Sequence, residues 1–319
     1  MQRYALTVTL NAAVDVTYLL DSFTIGEIHA VAGMSRAAGG KANNAARVLR
    51  TLGVAVTATG FAGGHAGAFI QTDLRRLQIA ADYEEIEGET RTCLTMVDRT
   101  GGSLTEVRER GPVVPPEGAA RFLARFRRLL SGAGAVVIAG SLPQGLPDDY
   151  YAQLVREARR HGVYTLLDSS GSALRNGVAA GPDLVKPNRA ELSAWAGADL
   201  ASPEAVRAAA EQMRAAGAGA VAVSLGEQGL LYTGPEGAWV ARPPAVKALN
   251  TVGSGDSLVA GLIAARLQGL PVQEGLRLGA ACGTANALTP EIASPRLGDI
   301  ERLRPQVVVE MVRPSPFSR

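Results

Sequence analysis

Six short apolar runs separated by segments of helical periodicity constrain the fold of this 319-residue chain more than any other feature. The run at residues 135–139 contains no polar residue, which is typical of a strand buried on both faces of a sheet. Strands that alternate with helices form a mostly parallel sheet with helices on both faces, so the pattern predicts an α/β fold. The predicted strands are residues 6–10, 54–59, 135–139, 164–168, 183–186 and 220–225, and the predicted helices are residues 42–52, 66–77, 118–130, 147–160 and 203–216.

Two regions interrupt this alternation. Residues 14–35 are extended and mixed in character, and residues 90–110 alternate polar and apolar side chains around a Thr100-Gly101-Gly102 turn. Such alternation predicts a sheet with one solvated face, which would be either a small lid over a cleft or an ordinary surface hairpin. No internal repeat divides the chain. We therefore expect a single domain over residues 1–319, with a frayed tail around Pro314 and Pro316.

Composition argues against several classes of function. Hydrophobic residues make up 47% of the chain, charged residues make up 19%, and the net charge is only +2. A nucleic-acid-binding protein usually carries a clustered basic surface, so no nucleic-acid partner is expected. No apolar run approaches the length of a membrane span, so no membrane partner is expected. The two cysteines, Cys93 and Cys282, lie far apart without metal-ligand spacing, which favours a reducing, cytoplasmic compartment.

The segment from Asn250 to Ser257 has the residue types of a phosphate-binding helix start. Small residues lead directly into an apolar helical pattern, which places free backbone N–H groups and the positive end of a helix dipole at residues 253–256. Asp256 stands where a carboxylate could accept a proton from a hydroxyl that attacks the phosphate. A plain glycine turn with Asp256 as an N-cap fits the same pattern.

Two further segments carry anion-binding or metal-binding residue types. Residues 39–44, Gly-Gly-Lys-Ala-Asn-Asn, place a cation and two amides at a glycine-rich helix start. Asn188 and Glu191 lie three residues apart on one face of a predicted helix, where they could orient metal-bound water near a nucleotide. A capping box, in which Asn188 is the N-cap and Glu191 reaches back to it, is the alternative interpretation of that pair.

Taken together, five motifs resemble those of the ribokinase-like carbohydrate kinases, the PfkB family, in the same order and over nearly the whole chain. The motifs are residues 39–49, 140–143, 186–192, 224–229 and 250–256. The resemblance implies a ribokinase-like three-layer α/β/α sandwich, with a mostly parallel central sheet and a small β lid formed by about residues 14–35 and 90–110. Segments 9–15 and 88–112 resemble the phosphosugar branch of the family, and tracts 191–197 and 239–244 favour 1-phosphofructokinase within it.

The resemblance assigns roles to the matching residues. Asp256 would be the general base, and the amides of Gly253, Ser254 and Gly255 would stabilise charge on the transferred phosphoryl group. ATP and Mg²⁺ are the implied cofactors, with Glu191 and Asn188 organising the metal through water. The implied sugar-phosphate contacts are Asp15, Gly40, Lys41, Asn44, Arg91 and Ser141, and the implied nucleotide contacts are Lys186, Asn188, Ser224, Gly226 and Gly229.

Three positions depart from the family pattern. Asn250 stands where many members carry Asp, and Ala12 replaces a usual Pro. Ala42 replaces the usual Gly after Lys41, and an alanine there would be strained if the backbone has a positive φ.

The expected function is ATP-dependent phosphorylation of fructose 1-phosphate to fructose 1,6-bisphosphate. Tagatose-6-phosphate kinase and minor-type 6-phosphofructokinase are the close alternatives, because the C1 and C6 arms of these furanoses flank the ring pseudo-symmetrically. A catalytically silent regulator that binds a sugar phosphate is the alternative of a different class. Lids in this family often make dimer contacts, so a homodimer through the lid is expected.

Overall fold

A computed structural model describes residues 3–312, and the tail at Pro314 and Pro316 that was expected to fray lies outside them. Within the described part, the chain forms fifteen strands and ten α-helices. The strands are β1 (Tyr4–Thr9), β2 (Ala13–Leu20), β3 (Gly33–Gly39), β4 (Val56–Ala62), β5 (Ala80–Ala81), β6 (Glu84–Glu85), β7 (Arg91–Asp98), β8 (Leu104–Arg108), β9 (Ala133–Ala139), β10 (Tyr164–Asp168), β11 (Leu184–Val185), β12 (Ala220–Ser224), β13 (Leu230–Gly234), β14 (Gly237–Arg242) and β15 (Val308–Met311). The helices are α1 (Lys41–Thr51), α2 (Gly64–Arg76), α3 (Pro116–Leu130), α4 (Tyr150–Arg160), α5 (Gly171–Ala179), α6 (Arg189–Ala196), α7 (Pro203–Ala215), α8 (Ser254–Leu267), α9 (Val272–Ala287) and α10 (Leu297–Leu303).

All the helices and strands predicted from periodicity are present, with ends displaced by at most three residues. Helix α4 begins later than predicted because the residues before it form a turn, in which the Tyr150 N–H donates to the Pro147 carbonyl at 2.9 Å. The periodicity does not predict α9, whose small and apolar residues are buried on most sides. No helix within residues 3–312 is long and apolar enough to cross a membrane.

The central sheet has the strand order β15-β14-β13-β12-β11-β10-β9-β1-β4-β5, and β6 also pairs with β4. Strands β4, β1, β9, β10, β11 and β12 run parallel to one another, as predicted. Strands β13–β15, which the sequence pattern does not predict, extend the sheet in antiparallel fashion. The carboxyl ends of the parallel strands therefore meet at one edge, where ligands bind in open α/β sheets.

Each central strand contributes apolar side chains to two separate cores. In β9, Ala135 and Val137 pack into one core, and Val136 and Ile138 pack into the other. Residues of α1, α2, α8, α9 and α10 complete the first core, and residues of α3–α7 complete the second. Alternate side chains of a strand point to opposite faces, so the two cores lie on the two sides of the sheet. The three-layer α/β/α sandwich is confirmed.

Both regions that interrupt the alternation form a second, four-stranded sheet with the order β3-β2-β7-β8. Each region is an antiparallel hairpin, and the parallel pairing of β2 with β7 joins the two hairpins. We call this sheet, together with the loop at residues 21–32, the lid. It brings Asp15 of β2 and Arg91 of β7 to the same cavity as the carboxyl ends of the central strands.

Candidate active site

A cavity of about 1120 Å³ lies between the lid and the carboxyl ends of the central strands. Thr9, Ser141, Asp168, Lys186 and Ser224 lie at or just beyond the ends of five of these strands and form part of its wall. Every residue to which the motifs assign a role lines this one cavity. They are Asp15, Gly40, Lys41, Asn44, Arg91, Ser141, Lys186, Asn188, Glu191, Ser224, Gly226, Gly229, Gly253, Ser254, Gly255 and Asp256.

The start of α8 forms an anion cradle on this wall. Gly253 is the N-cap and has the left-handed φ of 83° that favours glycine. The Ser254 N–H donates to the Thr251 carbonyl at 3.2 Å, so it is already used. The N–H groups of Gly253, Gly255 and Asp256 have no acceptor among the described residues. These three amides, at the positive end of the α8 dipole, are the donors available to an anion.

Two buried asparagines hold the loop that leads into α8. Asn250 donates through Nδ2 to the Pro290 carbonyl and accepts at Oδ1 from the Val252 N–H, both at 2.9 Å. Asn286 donates through Nδ2 to the Val252 carbonyl, also at 2.9 Å. An ionised aspartate accepts hydrogen bonds but cannot donate one, so only an amide at position 250 makes both of these bonds.

Asp256 is buried in the first turn of α8 and has one oxygen available. Its Oδ2 accepts from Asn44 Nδ2 at 2.8 Å, whereas no described residue donates a hydrogen bond to Oδ1. Burial, and next the charge of Asp168, raise the pKa of Asp256 from 3.8 to about 6, although Lys41 and Asn44 lower it. A carboxylate with a pKa near 6 is a better general base at neutral pH than an ordinary aspartate, yet it is still mostly ionised there.

Asp168, at the end of β10, binds two lysines. Its Oδ1 lies 2.8 Å from Lys41 Nζ and its Oδ2 lies 3.2 Å from Lys186 Nζ. Burial alone would raise the pKa of Asp168, but Lys186 and Lys41 hold it below its ordinary value. Conversely, burial lowers the pKa of Lys41, and the neighbouring carboxylates, Asp168 foremost, raise it above its ordinary value. Asp168 and Lys41 are therefore both charged at neutral pH.

The motifs did not assign a role to Asp168, and this is the main residue that sequence reasoning missed. The signal was present, because Asp168 is the last residue of a strand predicted to be buried, and polar residues at such ends line ligand sites. Its partners could not be read from the sequence. Lys41 lies 127 residues away along the chain, and only the β1-β9-β10 order of the sheet brings the two together.

The Asn188–Glu191 pair forms a capping box at the start of α6. Asn188 Oδ1 accepts from the Glu191 N–H and Glu191 Oε2 accepts from the Asn188 N–H, both at 2.8 Å. The other Glu191 oxygen, Oε1, lies 3.4 Å from Lys41 Nζ. No group of three His, Cys, Asp or Glu residues within residues 3–312 could hold a metal. This donor set fits Mg²⁺ only through water, because Mg²⁺ keeps several waters and takes its other ligands from phosphates.

Arg91, at the start of β7, is held by backbone carbonyls. Its Nε and Nη2 donate to the Asn11 carbonyl at 3.2 and 2.9 Å, and its Nη1 donates to the Glu109 carbonyl at 3.2 Å. Asn11 in turn donates through Nδ2 to Ser141 Oγ at 3.0 Å, which links the lid-side residues to the end of β9. Arg91 contacts no carboxylate within the described chain, so its charge is available to an anionic ligand.

Asp15 and the glycine-rich start of α1 complete this side of the cavity. Burial raises the pKa of Asp15 to about 6, while Arg47 lowers it and Asp256 raises it further. Gly40 carries the left-handed φ of 98°, and a Cβ there would lie 2.5 Å from Thr9 Cγ2. Ala42 lies within helix α1 and does not have a positive φ, so the strain considered for it does not arise.

Ser224, Gly226 and Gly229 lie at the opposite end of the cavity. Gly226 and Gly229 have left-handed φ values of 63° and 90°, and a Cβ at Gly229 would lie 2.0 Å from the Ala241 carbonyl oxygen. Apolar residues such as Leu230, Pro243 and Val246 also line the cavity, together with the charged Glu227. A wall that combines apolar and polar groups suits a ligand with a flat apolar part and an anionic tail.

Known proteins resemble this chain over nearly its whole length. A model of the pfkB family of carbohydrate kinases matches residues 8–296. Phosphofructokinase-2 from Escherichia coli, in its tetrameric inhibited form, is 30% identical over 96% of this chain and 99% of its own, with a TM-score of 0.89. The same protein has been solved in complex with fructose-6-phosphate. A Thermotoga maritima protein described as a possible 1-phosphofructokinase is 28% identical over 98% of this chain and 100% of its own, with a TM-score of 0.90.

The chain therefore belongs to the pfkB family of carbohydrate kinases. Its ribokinase-like fold is shared with Arabidopsis thaliana ribokinase, solved with ribose and ATP, which is 20% identical over 95% of this chain and 99% of its own, with a TM-score of 0.76. The family and the fold that the five motifs predicted are both confirmed.

We expect Asp256→Asn to stabilise the folded protein above pH 6. The pKa of Asp256 is about 6 when folded against an ordinary 3.8, so ionising it opposes folding at neutral pH, and this cost disappears as the pH falls from 6 to 4. Urea unfolding at pH 8 should show a gain of about 1–3 kcal/mol, shrinking towards zero near pH 4. Asp21→Asn, at an exposed site, is the control. Equal or lower stability of the Asp256 variant at pH 8 would contradict this prediction.

Proposed function

We propose that this protein transfers a phosphoryl group from ATP to a ketohexose phosphate, with fructose 1-phosphate as the substrate and fructose 1,6-bisphosphate as the product. The observation that carries the proposal is the placement of Asp256. Within the described part of the chain, one oxygen of this buried carboxylate has no hydrogen-bond donor, and backbone amides in the same helix turn have no acceptor. A base beside an anion cradle can deprotonate a hydroxyl where a phosphoryl group is received.

In this mechanism Asp256 Oδ1 accepts the proton of the attacking sugar hydroxyl. Asn44 holds the other oxygen, Oδ2, at 2.8 Å, which fixes the direction in which the carboxylate points. ATP would supply its γ-phosphoryl group, and ADP would leave as the bond between the γ-phosphorus and the β–γ bridging oxygen breaks. The free N–H groups of Gly253, Gly255 and Asp256 stabilise the negative charge on that group as the bond to the sugar forms. Ser254, whose N–H is used by Thr251, contributes through the shape of the turn.

Two lysines extend the positive surface across the cavity. Lys186 lies close to the cradle, because a Cβ added to Gly255 would be 3.6 Å from its Nζ. Lys41, at the start of α1, reaches Asp168 from the sugar side. Asp168 holds both ammonium groups in place and so acts as a positioning residue. Mg²⁺ would reach the phosphates of ATP from the side of Asn188 and Glu191, through water, and would offset their charge.

Positively charged side chains at the sugar end of the cavity support a phosphorylated sugar over a neutral one. Lys41, Arg91 and Arg108 line this end, where Lys41 pairs with Asp168 and Arg108 pairs with Glu106. Arg91 contacts no carboxylate of the described chain, and an arginine fork suits phosphate. Two observations favour fructose 1-phosphate as the substrate. Tracts 191–197 and 239–244 resemble those of 1-phosphofructokinase, and the chain is similar to the Thermotoga protein. The similarity to phosphofructokinase-2 keeps fructose 6-phosphate as the main alternative, with tagatose 6-phosphate beside it.

A coupled assay of ADP release with Mg-ATP tests the substrate. We expect kcat/KM for fructose 1-phosphate to exceed the values for fructose 6-phosphate, tagatose 6-phosphate and unphosphorylated fructose by at least about tenfold, equivalent to one well-placed charged contact. A preference for a 6-phosphate would show that fructose 1-phosphate is not the substrate, but the proposed mechanism would still apply. Absence of turnover with all three phosphosugars would overturn the kinase proposal.

Substitution of the proposed base separates an enzyme from a silent sugar-phosphate-binding regulator. Asp256→Asn should lower kcat by about 10²–10⁴-fold while sugar-phosphate binding, measured by calorimetry, is kept. In the unsubstituted enzyme kcat/KM should fall as the pH drops below about 6, because Asp256 must be ionised to accept the proton. Asp15 also has a pKa of about 6, so the acid limb belongs to both carboxylates. Undiminished turnover of the Asp256 variant would exclude this base.

The lid also carries an apolar surface that fits a homodimer. Among the described residues twelve large apolar side chains are exposed, and half of them belong to the lid: Ile25, Ile28, Val31, Met34, Leu104 and Val107. Apolar side chains clustered in this way mark protein contact surfaces. We propose that two copies pair through this surface, as the family resemblance implies. The related phosphofructokinase-2 is a tetramer in its inhibited form.

Ile28→Glu should shift the protein towards monomer in sedimentation velocity at micromolar concentration. Ile28 is fully exposed in a single copy, so a charge costs nothing there unless a partner covers it. Leu297→Glu, at an exposed apolar position outside the lid, is the matched control and should leave the assembly unchanged. An unchanged sedimentation coefficient for Ile28→Glu would remove the lid from the interface.

A further inference from the structure

A second cavity, of about 680 Å³, lies on the other side of Asp15 from the cradle. Strand β3 of the lid, helices α1 and α2, and residues 291–295 form its walls. Asp15 and Ile292 line both cavities, so the two are separated by little more than these side chains. None of the roles assigned to the active site uses the other residues of this second cavity.

Four arginines from three elements line the second cavity. They are Arg36 of β3, Arg47 and Arg50 of α1, and Arg76 of α2. Arg36 is exposed and forms no ion pair or side-chain hydrogen bond with any residue of the described chain. Among residues 3–312, the Arg50 guanidinium contacts only the side-chain amide oxygen of Gln78. Arg36 and Arg50 therefore carry charges that no carboxylate of the described chain contacts.

The three carboxylates in the wall do not neutralise this set. Asp73 is used completely, since its Oδ2 accepts from the Ala38 N–H and its Oδ1 accepts from Arg76, both at 2.9 Å. Asp15 faces both cavities, and burial raises its pKa towards neutrality. Glu291 is the remaining carboxylate and is exposed. The net balance of the wall is positive, even with every carboxylate ionised.

Arg47 is the most informative member of the set. Its side chain is 8% exposed and its Nε is buried without any hydrogen-bond partner among residues 3–312. A buried donor with no partner costs stability, so it indicates a missing acceptor. Burial lowers the pKa of Arg47, and the surrounding carboxylates only partly offset this. An anion in the cavity would supply a counter-charge to this guanidinium.

The backbone around the cavity is also strained. Within residues 3–312, Gln78 and Ala293 are the two non-glycine residues with a positive φ, at 59° and 48°. Both line the second cavity. Gln78 is the left-handed residue that commonly follows the end of a helix, here α2, so the strain in this wall rests on Ala293, and strained residues cluster at ligand sites.

We propose that the second cavity is a regulatory site for a small anion that carries a phosphate group, bound by Arg36, Arg47 and Arg50. A volume of about 680 Å³ admits a phosphate with a short organic part. Planar guanidinium groups bind phosphate oxygens in pairs, which suits this chemical class better than a simple halide.

A chain of hydrogen bonds connects this site to the proposed base. Arg47 Nη2 donates to Asn44 Oδ1 at 2.7 Å, and Asn44 Nδ2 donates to Asp256 Oδ2 at 2.8 Å. Arg47 also lowers the pKa of Asp15, which is a proposed sugar contact. An anion bound to Arg47 would partly neutralise its charge, so Arg47 would lower the pKa of Asp15 less. Asp15 would then hold its proton more tightly. Bound anion should therefore raise KM for the sugar phosphate.

Calorimetric titration with inorganic phosphate and with glycerol 3-phosphate tests the binding. The double variant Arg36→Gln, Arg50→Gln should lose at least about tenfold in affinity, as expected when charged hydrogen bonds are removed. Lys41→Met, in the active site, should keep this binding. The control double variant Arg75→Gln, Arg302→Gln removes two arginines from outside the cavity and should keep it too. Equal affinity for both probes assigns recognition to the phosphate alone, and tighter binding of glycerol 3-phosphate assigns it to a phosphorylated metabolite.

The proposal would be overturned if the Arg36, Arg50 variant bound the anion with undiminished affinity, or if Lys41→Met alone lost binding. In either case the anion would occupy only the active site.

The kinetic test depends on the proposed function. Phosphate should raise KM for fructose 1-phosphate several-fold in the unsubstituted enzyme, and this rise should be lost in the Arg36, Arg50 variant. Since calorimetry needs no turnover, failure of the kinase proposal would leave the binding result intact.

Discussion

The ion triad of Lys41, Asp168 and Lys186 is the interaction on which the site depends. Asp168 is almost completely buried, and a lone buried carboxylate would be costly, so the two ammonium groups must be present for it to remain charged. Each partner comes from a different part of the fold: Lys41 starts α1, Asp168 ends β10, and Lys186 follows β11. One buried charge thus holds the helix that carries Asn44 against the strand ends that face the α8 cradle.

Burial raises the pKa of Asp256, which suits it to act as a base but lowers the stability of the folded protein. The same desolvation that raises its pKa to about 6 makes its ionised form unfavourable in the folded state. Burial also raises the pKa of Asp15 to about 6, and the charge of Asp256 raises it further. Two coupled carboxylates in one cavity make the acid limb of activity a property of the pair. Arg47 lines the second cavity, and its charge interacts with both carboxylates.

Local sequence patterns predicted most of the fold. Continuous apolar runs identified the parallel strands, and 3.6-residue periodicity identified the helices to within three residues at their ends. The polar hairpin and its Thr100-Gly101-Gly102 turn were predicted, but the parallel pairing of β2 with β7 was not, because about seventy residues separate the two strands. Helix α9 carries small apolar residues on most sides, so it has little amphipathic signal. The Asn188–Glu191 capping box follows from spacing alone, since its bonds are local.

Local residue order identifies the class of the fold, the family and sixteen of the residues that line the cavity, because glycine turns, helix starts and strand ends depend on neighbouring residues. It could not determine which of those residues contact one another. The folded structure shows that Asn44 holds Asp256, that Asp168 joins Lys41 to Lys186, and that Arg47 Nε is buried with no acceptor among residues 3–312. These contacts span up to 212 residues, and the pKa values that follow from them depend on burial and on charges brought together by the sheet order.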